Sequence, residues 1–132
     1  MVEEIVDIFH IEDNPSFVKR MVRAAEKNGA SYFNASCLEA VERALGEGIR
    51  GKFYLVDGSF PIAVGGDVEE RAEEGIKLIR SVDPNAAISL YSGNWNTEEN
   101  ARVWGVGAYL KGKWFPGVVV EEICARIRGA SG

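Results

Sequence analysis

The 132-residue chain carries 15 Lys and Arg against 20 Asp and Glu, a net charge of −5, and 46% of its residues are apolar. That apolar supply suffices for one core and not for two independent domains, and the acidic balance argues against a general nucleic-acid or anionic-membrane surface. No apolar run approaches the ~20 residues of a membrane span. The opening Met-Val-Glu-Glu is acidic where a secretion signal would be basic, and Cys37 and Cys124 lie in apolar patterns outside any metal-binding spacing. A cytoplasmic protein with both thiols packed is expected.

Ile5 to Ile11 is a nearly continuous apolar run, interrupted by Asp7 and His10, and suits a strand covered on both faces. Asn14-Pro15 supplies a cap and a first-turn proline for a helix whose apolar positions are Phe17, Met21, Val22 and Ala25, stopped by Asn28-Gly29. A short strand around Ser31 to Phe33 leads into Ser36-Cys37-Leu38-Glu39, read as a capping box ahead of Leu38, Val41, Leu45 and Ile49. Phe53 to Val56 is a buried strand ending at Asp57. After an unusually long connection, Val68, Ala72, Ile76 and Ile79 mark a third helix closed by Asp83-Pro84-Asn85. Ala86 to Tyr91 is a fourth strand, Asn96-Thr97-Glu98-Glu99 opens a short helix reaching Trp104-Gly105, and Val106 to Leu110 is a fifth strand. Val120, Ile123, Cys124 and Ile127 then form the apolar stripe of a last helix. Such alternation predicts an α/β protein, a parallel sheet with helices on both faces, whose functional crevice lies beyond the carboxyl ends of the strands.

The residues at those ends are Glu12 and Asp13, Asp57, Ser92, and a lysine, either Lys111 or Lys113. Converging carboxylates repel one another unless a cation intervenes, and a hard divalent ion with oxygen ligands, Mg²⁺ for phosphate chemistry, removes the conflict. A hydroxyl and a lysine beside them would supply the donor and positive charge that a transferring phosphoryl group needs.

At this point the chain resembles the response-regulator receiver family of two-component phosphorelay signalling, from Ile5 to Ile127. Ile11-Glu12-Asp13-Asn14-Pro15 looks like the acidic-pair motif, Leu55-Val56-Asp57 with Pro61 and Gly65 like the phosphoacceptor strand and loop, Leu90-Tyr91-Ser92-Gly93 like the hydroxyl strand, and Tyr109-Leu110 with the following lysines and Phe115 like the lysine strand. The resemblance implies a single receiver domain over residues 1–132, core about 5–128, with no output domain. It implies a doubly wound (βα)5 sheet of strand order 2-1-3-4-5, flavodoxin-like or CheY-like. It also implies a phosphoacceptor signalling domain rather than an enzyme. Asp57 would be the nucleophile, Glu12, Asp13, Asp57 and the Ser59 backbone carbonyl the Mg²⁺ ligands, and Ser92 and the lysine would hold phosphoryl oxygens. Backbone N–H groups near Ser59 and Gly93 would help cradle the phosphoryl group, and the side chains of Ser59 and Asn94 would influence its lifetime. The implied partners are a sensor histidine kinase or phosphotransfer protein and a downstream protein docking on the face of helix four, strand five and helix five. A homodimer is also allowed, while direct nucleic-acid or membrane contact is not expected.

Three places depart from the family pattern. Gly112 falls where the family has its lysine, and a bulge there would align Lys113-Trp114-Phe115 with the family's Lys-Pro-Phe, which favours Lys113 over Lys111. Trp114 replaces a proline that commonly follows a cis bond; cis before a non-proline residue costs about 2.5–4 kcal/mol, so a trans bond and a rearranged loop are expected. If Gly75 rather than Gly65 takes the family's glycine position, the connection after Pro61 is longer than usual and acidic, with Asp67, Glu69, Glu70, Glu73 and Glu74. It reads as a solvated helix face or as a selector of basic partners.

His10, inside a buried strand with no second His or Cys nearby, is expected to pack or hydrogen-bond to backbone. Trp104, Tyr109 and Trp114 are expected to cluster around the fifth strand, as core or as partner anchors. A haloacid-dehalogenase-type phosphatase would need a second Asp two residues from Asp57, where Leu55 and Ser59 stand; a flavodoxin-type phosphate loop would not carry Glu12-Asp13. The alternative function is a pseudo-receiver, an interaction module that keeps the fold without phosphorylation.

Overall fold

A computed structural model describes residues 3–131. Its backbone runs β1 (Glu4–Ile11), α1 (Pro15–Lys27), β2 (Tyr32–Ala35), α2 (Leu38–Gly46), β3 (Ile49–Val56), β4 (Ser59–Phe60), β5 (Glu69–Glu70), α3 (Ala72–Val82), β6 (Ile88–Ser92), α4 (Thr97–Trp104), β7 (Gly107–Leu110) and α5 (Pro116–Ser131). The main sheet has five parallel strands in the order β2-β1-β3-β6-β7, which is the expected 2-1-3-4-5 order once the two-residue strands β4 and β5 are set aside.

Strand alternation divides the core between the two faces. Ile8, Phe53, Leu55, Tyr91 and Tyr109 point toward α1 and α5, where they meet Met21, Ala24, Val120 and Ile123. Phe9, Ile11, Tyr54, Val56 and Leu90 point the other way, against Val41 and Leu45 of α2, Ile76 and Ile79 of α3 and Ala101 of α4. Strands covered on both sides explain why β1 and the Phe53–Val56 half of β3 read as apolar runs. Gly75 lets α3 approach closely, since a Cβ there would come 3.1 Å from Ile11 Cδ1.

Local signals fared unevenly. Asn14 Oδ1 accepts from the Ser16 and Phe17 N–H groups at 3.0 and 3.2 Å, the expected cap of α1. The capping box expected at Ser36 does not form. Cys37 is the N-cap without a side-chain bond, and the Leu38 and Glu39 N–H groups donate instead to the Pro61 and Ile62 carbonyls. Tertiary carbonyls have satisfied the helix terminus. Ile49 opens β3 rather than closing α2, because Gly48 at φ 92° turns the chain first. The third helix begins at Ala72, not Val68, which is exposed. Ahead of it the long connection is folded: β4 and β5 pair antiparallel, Arg71 N–H donates to Gly58 O, and the Arg71 guanidinium binds Phe60 O and Glu69. No cis peptide bond occurs among the described residues, in keeping with the trans bond expected at Trp114.

Candidate functional site

The carboxyl ends of β1 and β3 lie side by side, with Ile11 opposite Val56, so Glu12, Asp13 and Asp57 emerge together where the two strands stop. One carboxylate oxygen from each lies within 4.8 Å of the others. Glu12 is 1% and Asp57 8% exposed, so their charges are poorly solvated. Burial, and next to it the Glu12 charge, push the Asp57 carboxyl up to about 7, against the opposing pull of Lys111. Burial also pushes Glu12 upward, but a hydrogen bond and the charge of Lys111 prevail and hold it below its ordinary value. Asp13 is raised by burial and by Glu12. Three oxygen donors this close, two of them deeply buried, match the donor set of a hard divalent cation such as Mg²⁺.

The lysine at this site is Lys111, correcting the preference for Lys113. Its Nζ lies 2.6 Å from Glu12 Oε1 and 3.4 Å from Asp57 Oδ1. No bulge forms at Gly112. The Lys111 N–H bonds Ser92 O, extending the parallel pairing, and the Lys113 and Trp114 N–H groups then close a turn onto Leu110 O, which leaves Lys113 exposed. Lys111 follows Tyr109 by two residues and so emerges on the α1 side, where its ammonium rests 4.5 Å from the centre of the Phe17 ring.

Residues read as core support that lysine. Phe17 packs edge-on against Tyr91 at 5.2 Å, and the Tyr91 hydroxyl donates to Trp114 O at 2.6 Å, tying the β7–α5 loop to β6. This aromatic seat escaped the sequence because its members are far apart in the chain and each fits an ordinary apolar position. Trp104 does not join Tyr109 and Trp114: those two pack edge-on at 5.0 Å on the α5 side, while Trp104 lies against the opposite core. His10 is fully buried and bonds the Tyr32 hydroxyl at 2.7 Å rather than backbone; burial takes its pKa down to about 4.

Ser92 ends β6 beside Asp57, its hydroxyl accepting from Asn94 N–H at 3.1 Å. Gly58 N–H donates to Asp57 Oδ1 at 2.7 Å, and Asn94 Nδ2 reaches Ser59 Oγ at 3.4 Å. A Cβ on Gly58 would collide with the Asn94 amide and lie 2.6 Å from Ser92 Oγ, so only glycine lets these groups close around Asp57.

No protein-family model and no curated protein sequence matches the chain. Solved structures do. A CheY-like response regulator receiver domain protein from Methanospirillum hungatei superposes with a TM-score of 0.73 at 14% identity, covering 96% of both chains. The chemotaxis response regulator CheY4 of Vibrio cholerae gives 0.68 at 16%, over 94% of this chain and 99% of that one. A receiver domain protein from Clostridium thermocellum gives 0.71 at 18%, over 96% and 97%. The chain has the CheY-like fold of response-regulator receiver domains over nearly its whole length. No helix among the described residues is long and apolar enough to cross a membrane.

Proposed function

We propose that the chain is a single receiver domain that accepts a phosphoryl group on Asp57 from a sensor histidine kinase or phosphotransfer protein and thereby switches its protein contacts. The observation that carries this reading is the convergence of Glu12, Asp13 and Asp57 within 4.8 Å, with Lys111 bridging Glu12 and Asp57.

In the proposed reaction an Asp57 carboxylate oxygen attacks phosphorus, the P–N bond of the phosphohistidine breaks, and the electron pair leaves with the imidazole nitrogen. Lys111 pairs with one phosphoryl oxygen, and the Ser92 hydroxyl turns from Asn94 N–H to donate to another. The Gly58 N–H already on Asp57 would help hold the transferred group. Glu12, Asp13, Asp57 and the Ser59 backbone carbonyl would hold Mg²⁺, which when bound offsets the charge of carboxylates and phosphoryl oxygens. Val103 of α4, Phe115 just before α5 and Val118 of α5 are exposed, and these apolar side chains support downstream contacts through the α4, β7 and α5 elements.

Mass spectrometry after incubation with acetyl phosphate and Mg²⁺ is expected to show an adduct of ~80 Da that Asp57→Ala abolishes. Absence of both the adduct and beryllofluoride binding would overturn the reading in favour of an interaction module that works without phosphorylation.

A further inference from the structure

The acidic connection after Pro61 ends in β5, which pairs back onto β4, and together with the first turn of α3 it forms one wall of a cleft of about 280 Å³ whose other wall is the start of α4. We propose that this cleft is a docking site for an arginine-bearing segment of a partner protein.

Glu70 of β5 and Glu73 of α3 stand on one side, and Asn94, Asn96 and Asn100 on the α4 side. No basic side chain lines the cleft among the described residues. Arg71, next to Glu70 in the chain, is engaged elsewhere, on Phe60 O, Glu69 and Glu74. The Glu70 carboxylate receives only a 3.5 Å contact from Asn96, and the Glu73 side chain has no ion pair or hydrogen bond among the described residues. Two carboxylates and the side chains of three asparagines around a cavity suit a planar guanidinium with five donors better than a compact ammonium.

A second, independent feature marks the same place. Trp95 is 91% exposed, between two residues that line the cleft. An exposed tryptophan next to an acidic cavity offers a ring face for a cation and a large anchor for a partner. The inference stands apart from phosphorylation, since the cleft is present in the unmodified protein. Gly58 and Asn94 also line it while bonding Asp57 and Ser92, so an occupant touches the neighbours of the reactive carboxylate.

The test titrates the unmodified full chain with a blocked hexa-arginine peptide at physiological salt, followed by backbone-amide NMR. Shifts are expected at Gly58, Asn94, Trp95, Asn96 and Asn100. The pair Glu70→Gln with Glu73→Gln should weaken binding roughly tenfold, as should Trp95→Ala. The equal-charge control pair Glu98→Gln with Glu99→Gln, on α4 but outside the cleft, should change it by less than about twofold, since exposed charges are screened. Hexa-lysine should bind more weakly than hexa-arginine. Equal losses from the two glutamine pairs, shifts spread over the acidic surface, or no binding would each overturn the proposal.

Discussion

The two halves of the site are built by different means. The acidic half sits where the central strands β1 and β3 stop, so backbone register alone brings Glu12, Asp13 and Asp57 together. The lysine half lies at the sheet edge, where β7 pairs on one side only and the turn at Lys111–Lys113 decides which residue faces inward. Phe17 and Tyr91 hold it there from other elements. A carboxylate cluster can thus be placed by topology, whereas its counter-charge here depends on side-chain packing across the α1–β6–β7 corner.

The largest expected effect tests that dependence directly. Lys111→Ala would leave Glu12, 1% exposed, without its cation, and should cost roughly 3 kcal/mol in denaturant unfolding at neutral pH, partly recovered by Mg²⁺. Lys113→Ala should stay within about 0.5 kcal/mol, as exposed substitutions do. Equal losses from the two would break the assignment. Gly58→Ala probes the acidic half: crowding against Ser92 and Asn94 should cost about 1–3 kcal/mol and weaken beryllofluoride binding measured by calorimetry.

The aromatic seat is worth less per contact. Tyr91→Phe leaves the Trp114 carbonyl without its donor and should lower stability by about 1 kcal/mol; Phe17→Leu removes the ring under Lys111 and should cost about 0.5–1 kcal/mol beyond the packing lost. If neither change reduces beryllofluoride affinity, the seat does not position the lysine.

The smallest net effect is in the pH dependence of the wild type without Mg²⁺, where two opposed titrations offset each other. Between about pH 4 and 7 native Asp57 keeps a proton that the unfolded chain has released, so its contribution to stability falls as pH rises. His10 acts oppositely: from about 4 to 6.5 the unfolded chain binds a proton that the native state refuses, so stability rises with pH. The wild type should therefore show a flattened profile across that window, and Asp57→Asn should expose the rising His10 slope. An unchanged profile in Asp57→Asn would show that the carboxyl titrates normally.

The alternation of elements, the strand-end positions of Glu12, Asp13, Asp57 and Ser92, and the cap at Asn14 were all legible in the chain, because each rests on local periodicity or adjacent residues. Strand order entered through the family likeness, and the fold agrees with it. The start of α2 misled because carbonyls from Pro61 and Ile62 replaced the Ser36 cap, and Val68 misled because the chain pairs as a hairpin before helix α3 begins.

Sequence by itself determined which residues stand at the ends of buried strands, since two-sided burial writes an unbroken apolar run and whatever follows it lies at the sheet edge. Only the tertiary structure decided that Lys111 rather than Lys113 meets the carboxylates, and that the acidic connection walls a cleft. Those outcomes turn on where a tight turn closes and on contacts such as Lys111 with Glu12, separated by 99 residues, which no local pattern encodes.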